Sequence, residues 1–328
     1  MDYEEEKAHG VEAYKEFFKD ARWAEAPGRI EFLGNHLDYN GGKVLGAAID
    51  GKVCALAMPR DDGTIRLFSE TFEDAVVETT LDDLSPREDH ESWANYPLGI
   101  LWALHEKGLA PACGFNLILT TNLPLSAGLS SSAAVELATA LSLLQLGNHT
   151  LGKLDLARLC RHAENEFVGV PCGILDQGVS THGEKGHLVL IDCRKESFST
   201  LKLPGETYVW VFDTGIKHDL VDSLYATRNN ECTEAIKRLQ EQQGNLSCLA
   251  EVKAEMLSKA KLPNILSKRS RHVIEETIRV EQAIELLRSE ANPKEIGSLL
   301  FASHESSRDL FENSCPELDF LVDDLKNR

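Results

Sequence analysis

The chain has 328 residues, 42% hydrophobic and 27% charged, which is typical of a soluble globular protein with one large or two ordinary domains. Its formal net charge of −19 disfavours a nucleic-acid or anionic-membrane binder, because such proteins need a basic surface. The eight cysteines form no CxxC pair or zinc-like spacing, and the acidic start is unlike a signal peptide. No apolar run approaches the length of about 18 residues that a membrane helix needs. We therefore expect free thiols, a cytoplasmic location, and neither nucleic acid nor membrane as a partner.

In the first half of the chain, the spacing of apolar residues predicts alternating helices and strands. Val11, Tyr14 and Phe17 lie at helical spacing, whereas apolar and β-branched residues alternate over 44–58. The predicted elements are a helix over residues 5–20, a strand near Ile30, strands over 44–58 and 64–80, a helix over 93–104 and a strand over 115–120.

The segment Gly34–Gly42, here called the polar loop, is bounded by glycines and rich in hydrogen-bonding side chains. Asn35, His36 and Asp38 lie so close in sequence that they could bind a polar ligand together. A turn that satisfies its own hydrogen bonds explains the composition equally well. The residues alone leave both interpretations open.

Residues 122–132, here called the serine loop, join the predicted strand over 115–120 to a helix. That helix is indicated by Leu137, Leu141 and Leu144 at intervals of three and four residues. A strand, a loop of small residues and a helix N-terminus together present free N–H groups to an anion. Serine hydroxyls add donors for phosphate and a ligand for Mg²⁺. Simple helix capping is the alternative for this loop taken alone.

The second half is predicted to be mainly helical. Asp176 lies in a small-residue, apolar segment, where an unpaired carboxylate is costly, so we expect an arginine partner. The predicted elements are a helix over 154–168, strands over 187–193 and 206–213, a helix over 225–243, and further helices over 246–328 with breaks at Pro263 and Pro293. A domain boundary is expected at about residue 190, giving domains 1–190 and 191–328.

Taken together in this order, the motifs resemble the galactokinases, within the superfamily of small-molecule kinases named for galactose, homoserine, mevalonate and phosphomevalonate (GHMP kinases). The resemblance extends over roughly residues 20–320. The segments that carry it are 27–42, 124–134, 171–177, Ser223–Arg228, Arg271–Val273, Ser303–His304, Arg308–Asp309 and Ser314–Leu318.

The resemblance implies an α+β, two-domain GHMP-kinase fold. Its N-terminal domain would be a ribosomal-protein-S5-like mixed α/β domain and its C-terminal domain a ferredoxin-like α+β domain. The implied activity is transfer of a phosphoryl group from ATP, with Mg²⁺, to the anomeric C1 hydroxyl of galactose. A monomer is the expectation for the family.

The resemblance also implies roles for single residues. Asp176 matches the base that takes the proton from the sugar hydroxyl, and Arg29 matches the guanidinium that keeps this carboxylate ionised. Ser132 and Glu164 match the Mg²⁺ ligands. The implied sugar contacts are Asn35, His36, Leu37, Asp38, Gly173 and Tyr225. The implied ATP contacts are Ser69, Ser126, Ala127, Gly128, Leu129, Ser130, Ser131 and Ser132.

The sequence departs from the family pattern in two places. Asn35 stands where galactokinases usually have a glutamate, so another hexose or a uronic acid such as galacturonate is an alternative substrate. Family members continue with a glycine-rich third motif after Ser314–Leu318, and no such motif occurs in this sequence. We therefore expect a truncated C-terminal domain, and a non-catalytic sensor of galactose and ATP remains an alternative. A non-sugar alcohol is disfavoured as substrate by the polar loop.

Overall fold

The computed structural model of the chain describes residues 21–72, 76–124, 127–205, 207–212, 214 and 221–327. The helix expected over residues 5–20 lies outside these ranges. The chain divides into two compact units: unit 1 comprises residues 1–30 and 48–182, and unit 2 comprises residues 31–47 and 183–328. None of the described helices is long and apolar enough to cross a membrane.

The strands of the described part are β1 (Arg22–Leu33), β2 (Lys43–Arg60), β3 (Ile65–Ser69), β4 (Val77–Thr79), β5 (Gly114–Thr121), β6 (His187–Asp192) and β7 (Ser197–Lys202). The α-helices of the described part are α1 (Asn95–Glu106), α2 (Ser131–Leu146), α3 (Lys153–His162), α4 (Leu175–His182), α5 (Val221–Gln243), α6 (Ala254–Lys259), α7 (Asn264–Arg288), α8 (Pro293–Ser306) and α9 (Pro316–Lys326). Ala163–Val168 and Ser307–Phe311 continue α3 and α8 as π-helical turns.

In unit 1 the strand order is β4-β3-β5-β2, with β3 and β5 parallel and the other neighbours antiparallel. The apolar side chains of these strands, among them Ile65, Leu67 and Phe115, pack with those of α1 and α2 in one buried core. This core fixes the end of β5 and the start of α2, and so positions the serine loop between them.

In unit 2, residues Lys43–Gly46 of β2 pair antiparallel with β6, and β6 pairs with β7. Helices α5, α7 and α8 pack side by side, with α7 in contact with both of the others. The polar loop belongs to this unit and packs against α7.

The division differs from the predicted boundary near residue 190, because chain order does not decide which residues pack together. Residues 31–47 belong to unit 2, since the start of β2 pairs with β6 and the polar loop bonds to α7. The single strand expected over 64–80 is two strands, β3 and β4. The breaks predicted at Pro263 and Pro293 are confirmed, because Pro263 precedes α7 and Pro293 begins α8.

The strand expected over 206–213 is wrong for the residues described there. Residues 207–212 have no regular secondary structure, and the side chains of Tyr208 and Trp210 are 81% and 79% exposed. The alternation of apolar residues in this segment predicts a strand, but a strand also needs a neighbour to pair with. No strand in the described part of the chain pairs with it.

Candidate active site

The serine loop of unit 1 leads directly into the N-terminus of α2. Gly128 and Ser130 have positive φ angles of 71° and 52°, which bend the chain tightly just before Ser131 begins the helix. The Ser130 hydroxyl makes no capping hydrogen bond to α2, so helix capping does not explain this serine. The free N–H groups of the first turn of α2 favour an anion at this point. The predicted ATP contact Ser126 lies outside the described residues.

Asp176, on the first turn of α4, is bonded through both carboxylate oxygens. Its Oδ1 accepts a hydrogen bond of 2.7 Å from Arg29 Nε and lies 2.5 Å from a second guanidinium nitrogen. Its Oδ2 accepts a hydrogen bond of 2.5 Å from the Ser130 hydroxyl. The arginine partner expected for this carboxylate is therefore present, and a serine of the loop is a second partner that sequence reasoning missed.

Arg29 also connects Asp176 to the backbone of the serine loop. The Arg29 guanidinium donates a hydrogen bond of 2.8 Å to the Gly128 carbonyl, and the backbone N–H of Arg29 donates one of 3.0 Å to the Leu129 carbonyl. The side chains of Arg29 and Asp176 are 14% and 27% exposed, so water weakens this ion pair only partly. One arginine thus fixes the distance between the loop and the carboxylate.

A group of buried acidic side chains lies beside α2 and α4. Glu164 and Glu136 both accept hydrogen bonds from the Gln177 amide, at 2.6 and 3.0 Å. Burial raises the pKa of both carboxyls, and the charge of Glu164 raises that of Glu136 further. The Ser132 hydroxyl opposes this rise in the pKa of Glu164, so the two predicted Mg²⁺ ligands lie near each other. Neither Glu136 nor Gln177 was identified from the sequence.

A cavity of about 730 Å³ lies next to the start of α2. Its walls include Ser69, Ser131 and Ser132, which are predicted ATP contacts, and the rings of Phe72 and Trp93. These two rings are nearly parallel, with centroids 5.9 Å apart and an interplanar angle of 12°. The volume falls in the range typical of small-molecule sites. Sequence reasoning missed both aromatic residues, because they lie in separate segments that no local motif connects.

In unit 2 the polar loop is internally hydrogen-bonded, as the self-satisfied turn interpretation requires. Leu37 N–H donates to the Gly34 carbonyl, and the Asn40 amide donates to the His36 carbonyl. The Leu37 side chain is fully buried, so only its backbone could contact a ligand. These local bonds account for the shape of the turn.

His36 lies among aromatic rings and is neutral. Its ring stacks on Phe311 with centroids 4.4 Å apart and lies 5.5 Å from the Tyr225 ring. The Asn313 amide nitrogen lies 2.9 Å from His36 Nε2 and 3.1 Å from Asn35 Oδ1. Burial lowers the pKa of His36 to about 3, so Nε2 accepts the hydrogen bond from Asn313. The predicted sugar contacts Asn35, His36 and Tyr225 therefore cluster together, with Asn313 as an unforeseen member.

The structure thus brings the predicted residues together within each unit. Unit 1 holds the catalytic, ATP and metal candidates as well as Gly173, which precedes α4. Unit 2 holds the candidate sugar contacts Asn35, His36, Leu37, Asp38 and Tyr225. Among the described residues there is no cluster of three or more His, Cys, Asp or Glu side chains arranged to hold a metal.

Two protein families match parts of the chain. The family described as GHMP kinases N terminal domain matches residues 95–184, and the galactokinase galactose-binding signature matches residues 12–59. These ranges include the serine loop with Asp176 and the polar loop, respectively.

Curated relatives match over nearly the whole chain. A galactokinase of Thermotoga neapolitana is 39% identical over 307 residues, which is 93% of this chain and 82% of the relative. A galactokinase of Bacillus subtilis is 35% identical over 92% of this chain and 78% of its own length.

Solved structures show the same similarity in three dimensions. Lactococcus lactis galactokinase, solved with galactose, superposes with a TM-score of 0.88 at 32% identity, covering 98% of this chain and 84% of that one. Methanococcus jannaschii mevalonate kinase superposes with a TM-score of 0.64 at 19% identity, covering 92% of this chain and 82% of its own, and shares the fold alone.

Proposed function

The chain belongs to the galactokinase family, and we propose that it transfers the γ-phosphoryl group of ATP to the C1 hydroxyl of galactose. Its fold is the two-domain α+β fold of the GHMP kinases, as the similarity to the Lactococcus enzyme shows. The proposal rests above all on one observation, the bonding of Asp176 to Arg29 and to Ser130 of the serine loop.

ATP is proposed to bind in unit 1. The stacked rings of Phe72 and Trp93 offer an apolar surface suited to the adenine base, and Ser69 lies in the same cavity wall. The serine loop and the N-terminus of α2 supply N–H and hydroxyl donors for the phosphates. Gly128 has a positive φ angle, which glycine adopts without strain. Because glycine has no side chain, its backbone can approach a phosphate closely.

Asp176 is proposed to act as the general base for the sugar hydroxyl. A sugar hydroxyl is a weak nucleophile, and a positioned base contributes about 10²- to 10⁴-fold to such reactions. The Arg29 guanidinium pairs with this carboxylate and holds its orientation. Each carboxylate oxygen can accept two hydrogen bonds, so Asp176 can accept the proton while its bonds to Arg29 and Ser130 persist.

Mg²⁺ is proposed to be held by the Ser132 hydroxyl and the Glu164 carboxylate. The donor set fits, because both are hard oxygen ligands and the two side chains lie near each other. The repulsion between Glu164 and the nearby acids would be relieved by a cation. When bound, the ion supplies neutralisation of the charge on the transferring phosphoryl group.

Galactose is proposed to be recognised by the cluster of the polar loop. Asn35, His36, Leu37, Asp38 and Tyr225 are the candidate contacts there, and Gly173 is a further candidate contact taken from the family resemblance. Pairing of each sugar hydroxyl with a dedicated polar group lets such a site reject analogues that lack the hydroxyl. The predicted monomeric state and cytoplasmic location belong to the same proposal.

A coupled assay of ADP release over a panel of sugars tests the function. Wild-type protein with ATP and Mg²⁺ should turn over galactose, and Asp176→Asn should abolish turnover while ATP binding by calorimetry is retained. Full activity of Asp176→Asn would remove this residue as the base. Binding of galactose and ATP by the wild-type protein without turnover would instead indicate a sensor.

The same panel decides a second candidate substrate. Asn35 is uncharged, and its side-chain oxygen is bonded to the uncharged amide of Asn313. An uncharged side chain at position 35 does not repel a carboxylate as a glutamate would, so a uronic acid such as galacturonate is the alternative substrate. Turnover of galacturonate or another hexose without turnover of galactose would establish that alternative.

A further inference from the structure

Two side chains of α7 bind the backbone of the polar loop on both sides of Asn35. Glu276 Oε1 accepts hydrogen bonds from the N–H groups of Gly34 and Asn35, at 3.0 and 3.3 Å. His272 Nε2 lies 3.1 Å from the Asn35 carbonyl oxygen. Because residues four apart share one face of a helix, His272 and Glu276 reach neighbouring peptide groups of the loop.

Two serines of α8 complete this arrangement, which we call the loop clamp (His272, Glu276, Ser303 and Ser306). The Ser303 hydroxyl donates a hydrogen bond of 2.7 Å to Glu276 Oε1, and the Ser306 hydroxyl lies 2.9 Å from His272 Nδ1. Burial lowers the pKa of His272, so the ring is neutral. Nδ1 therefore accepts from Ser306, and Nε2–H donates to the Asn35 carbonyl.

The polarity of the loop clamp is not needed for packing. Glu276 and His272 are fully buried, and a buried carboxylate is costly unless it is compensated. Arg279 compensates this charge with a hydrogen bond of 2.7 Å from its Nε to Glu276 Oε2, which leaves Oε1 for the loop and Ser303. Apolar side chains of similar volume would fill the same space without this cost. The specific result of the polar arrangement is a fixed loop backbone.

We propose that Glu276 and His272 are positioning residues that set the affinity for galactose by fixing the backbone around Asn35 and His36. They would act without touching the sugar. The inference rests on the proposed function of the polar loop and gives a role to the sequence segments Arg271–Val273 and Ser303–His304, to which no role had been assigned. A loop that is already ordered before the sugar arrives avoids the entropy cost of ordering upon binding.

The test compares Glu276→Ala and Glu276→Gln with the wild-type protein. Alanine removes the acceptor, so we expect the KM for galactose to rise about tenfold or more, with kcat within about threefold and the KM for ATP within about twofold. Glutamine keeps one acceptor oxygen, so its KM for galactose should stay within about threefold of wild type. Glu281→Gln is the matched control, because Glu281 is an exposed residue of the same helix that pairs with Lys43.

Hydrogen exchange measures the loop clamp independently of activity. In the wild-type protein without sugar, the amides of Gly34 and Asn35 should be protected, and in Glu276→Ala they should exchange faster. Absence of protection in the wild type would overturn the proposal even if Glu276→Ala does not fold. Faster exchange with an unchanged KM for galactose, or an equal rise in both KM values, would also overturn it. Wild-type turnover of galactose tests the proposed function separately. The proposed function and the positioning role of Glu276 and His272 can therefore fail independently of each other.

Discussion

Replacement of Arg29 with lysine separates the charge of this residue from its geometry. The guanidinium bonds to Asp176 Oδ1 through two nitrogens and to the Gly128 carbonyl through a third. An ammonium group keeps the positive charge but cannot reproduce this planar set of donors. Arg29→Lys should therefore keep a positive charge beside Asp176 and yet leave the carboxylate and the serine loop poorly positioned.

The expected loss follows from the bonds that lysine cannot make. A hydrogen bond to a charged group contributes about 1.5–3 kcal/mol, and each 1.36 kcal/mol of activation free energy is about tenfold in rate. In the partly exposed Arg29–Asp176 pair, lysine would lose one such bond and would leave the Asp176 carboxylate less firmly oriented. Together these losses correspond to a fall in kcat of about 10²-fold. Because the loop is also less well fixed, a smaller rise in the KM for ATP should accompany it.

Steady-state measurement of ADP release gives both constants, and circular dichroism shows whether the variant is folded. Arg66→Lys is the matched control, since Arg66 forms an exposed ion pair with Glu78 in the same unit. Exposed ion pairs contribute little to stability, so the kcat of Arg66→Lys should equal that of wild type. A kcat for Arg29→Lys within about threefold of wild type would refute the positioning role of Arg29.

Three further predictions follow from the same contacts. Gly128→Ala should raise the KM for ATP and lower the melting temperature, because alanine at a φ of 71° costs about 1 kcal/mol; an unchanged KM would exclude a close approach of phosphate there. Ser130→Ala should lower kcat about 3- to 10-fold without changing the affinity for ATP measured by calorimetry, and an unchanged kcat would show that its bond to Asp176 has no catalytic role. The pKa of His36 is about 3 in the folded chain, below its ordinary value near 6.5, so the unfolded chain binds more protons between these values and stability should rise with pH over that window. His36→Gln should flatten the rise in melting temperature measured from pH 5 to 7.5, and an unchanged slope would contradict a neutral, buried His36.

The local elements of the site were predictable because local chemistry determines them. The strand before the serine loop, the helix that follows it and the arginine partner of Asp176 all follow from residue spacing and from the cost of an unpaired carboxylate. The position of the polar loop was also predictable, because glycines bound it at Gly34 and Gly42. Such features depend on a few neighbouring residues.

The remaining features depend on contacts between distant segments, which spacing does not reveal. Asn313 lies 278 residues from Asn35, and Glu276 lies 242 residues from Gly34. On α7, Glu276 resembles any other charged residue of a helix, and only the fold shows that it is buried. The strand expected over 206–213 is wrong for the described residues 207–212 for a related reason, because an alternating pattern carries no information about a pairing partner.

The most direct test of the central claim is the identity of the product formed from galactose and ATP. Phosphorus NMR of the reaction mixture should show a sugar phosphate whose signal is coupled to the anomeric proton, as expected for galactose 1-phosphate. The signal should be absent with Asp176→Asn. A phosphate on another carbon, or no sugar phosphate from galactose under conditions where another sugar is phosphorylated, would contradict the account.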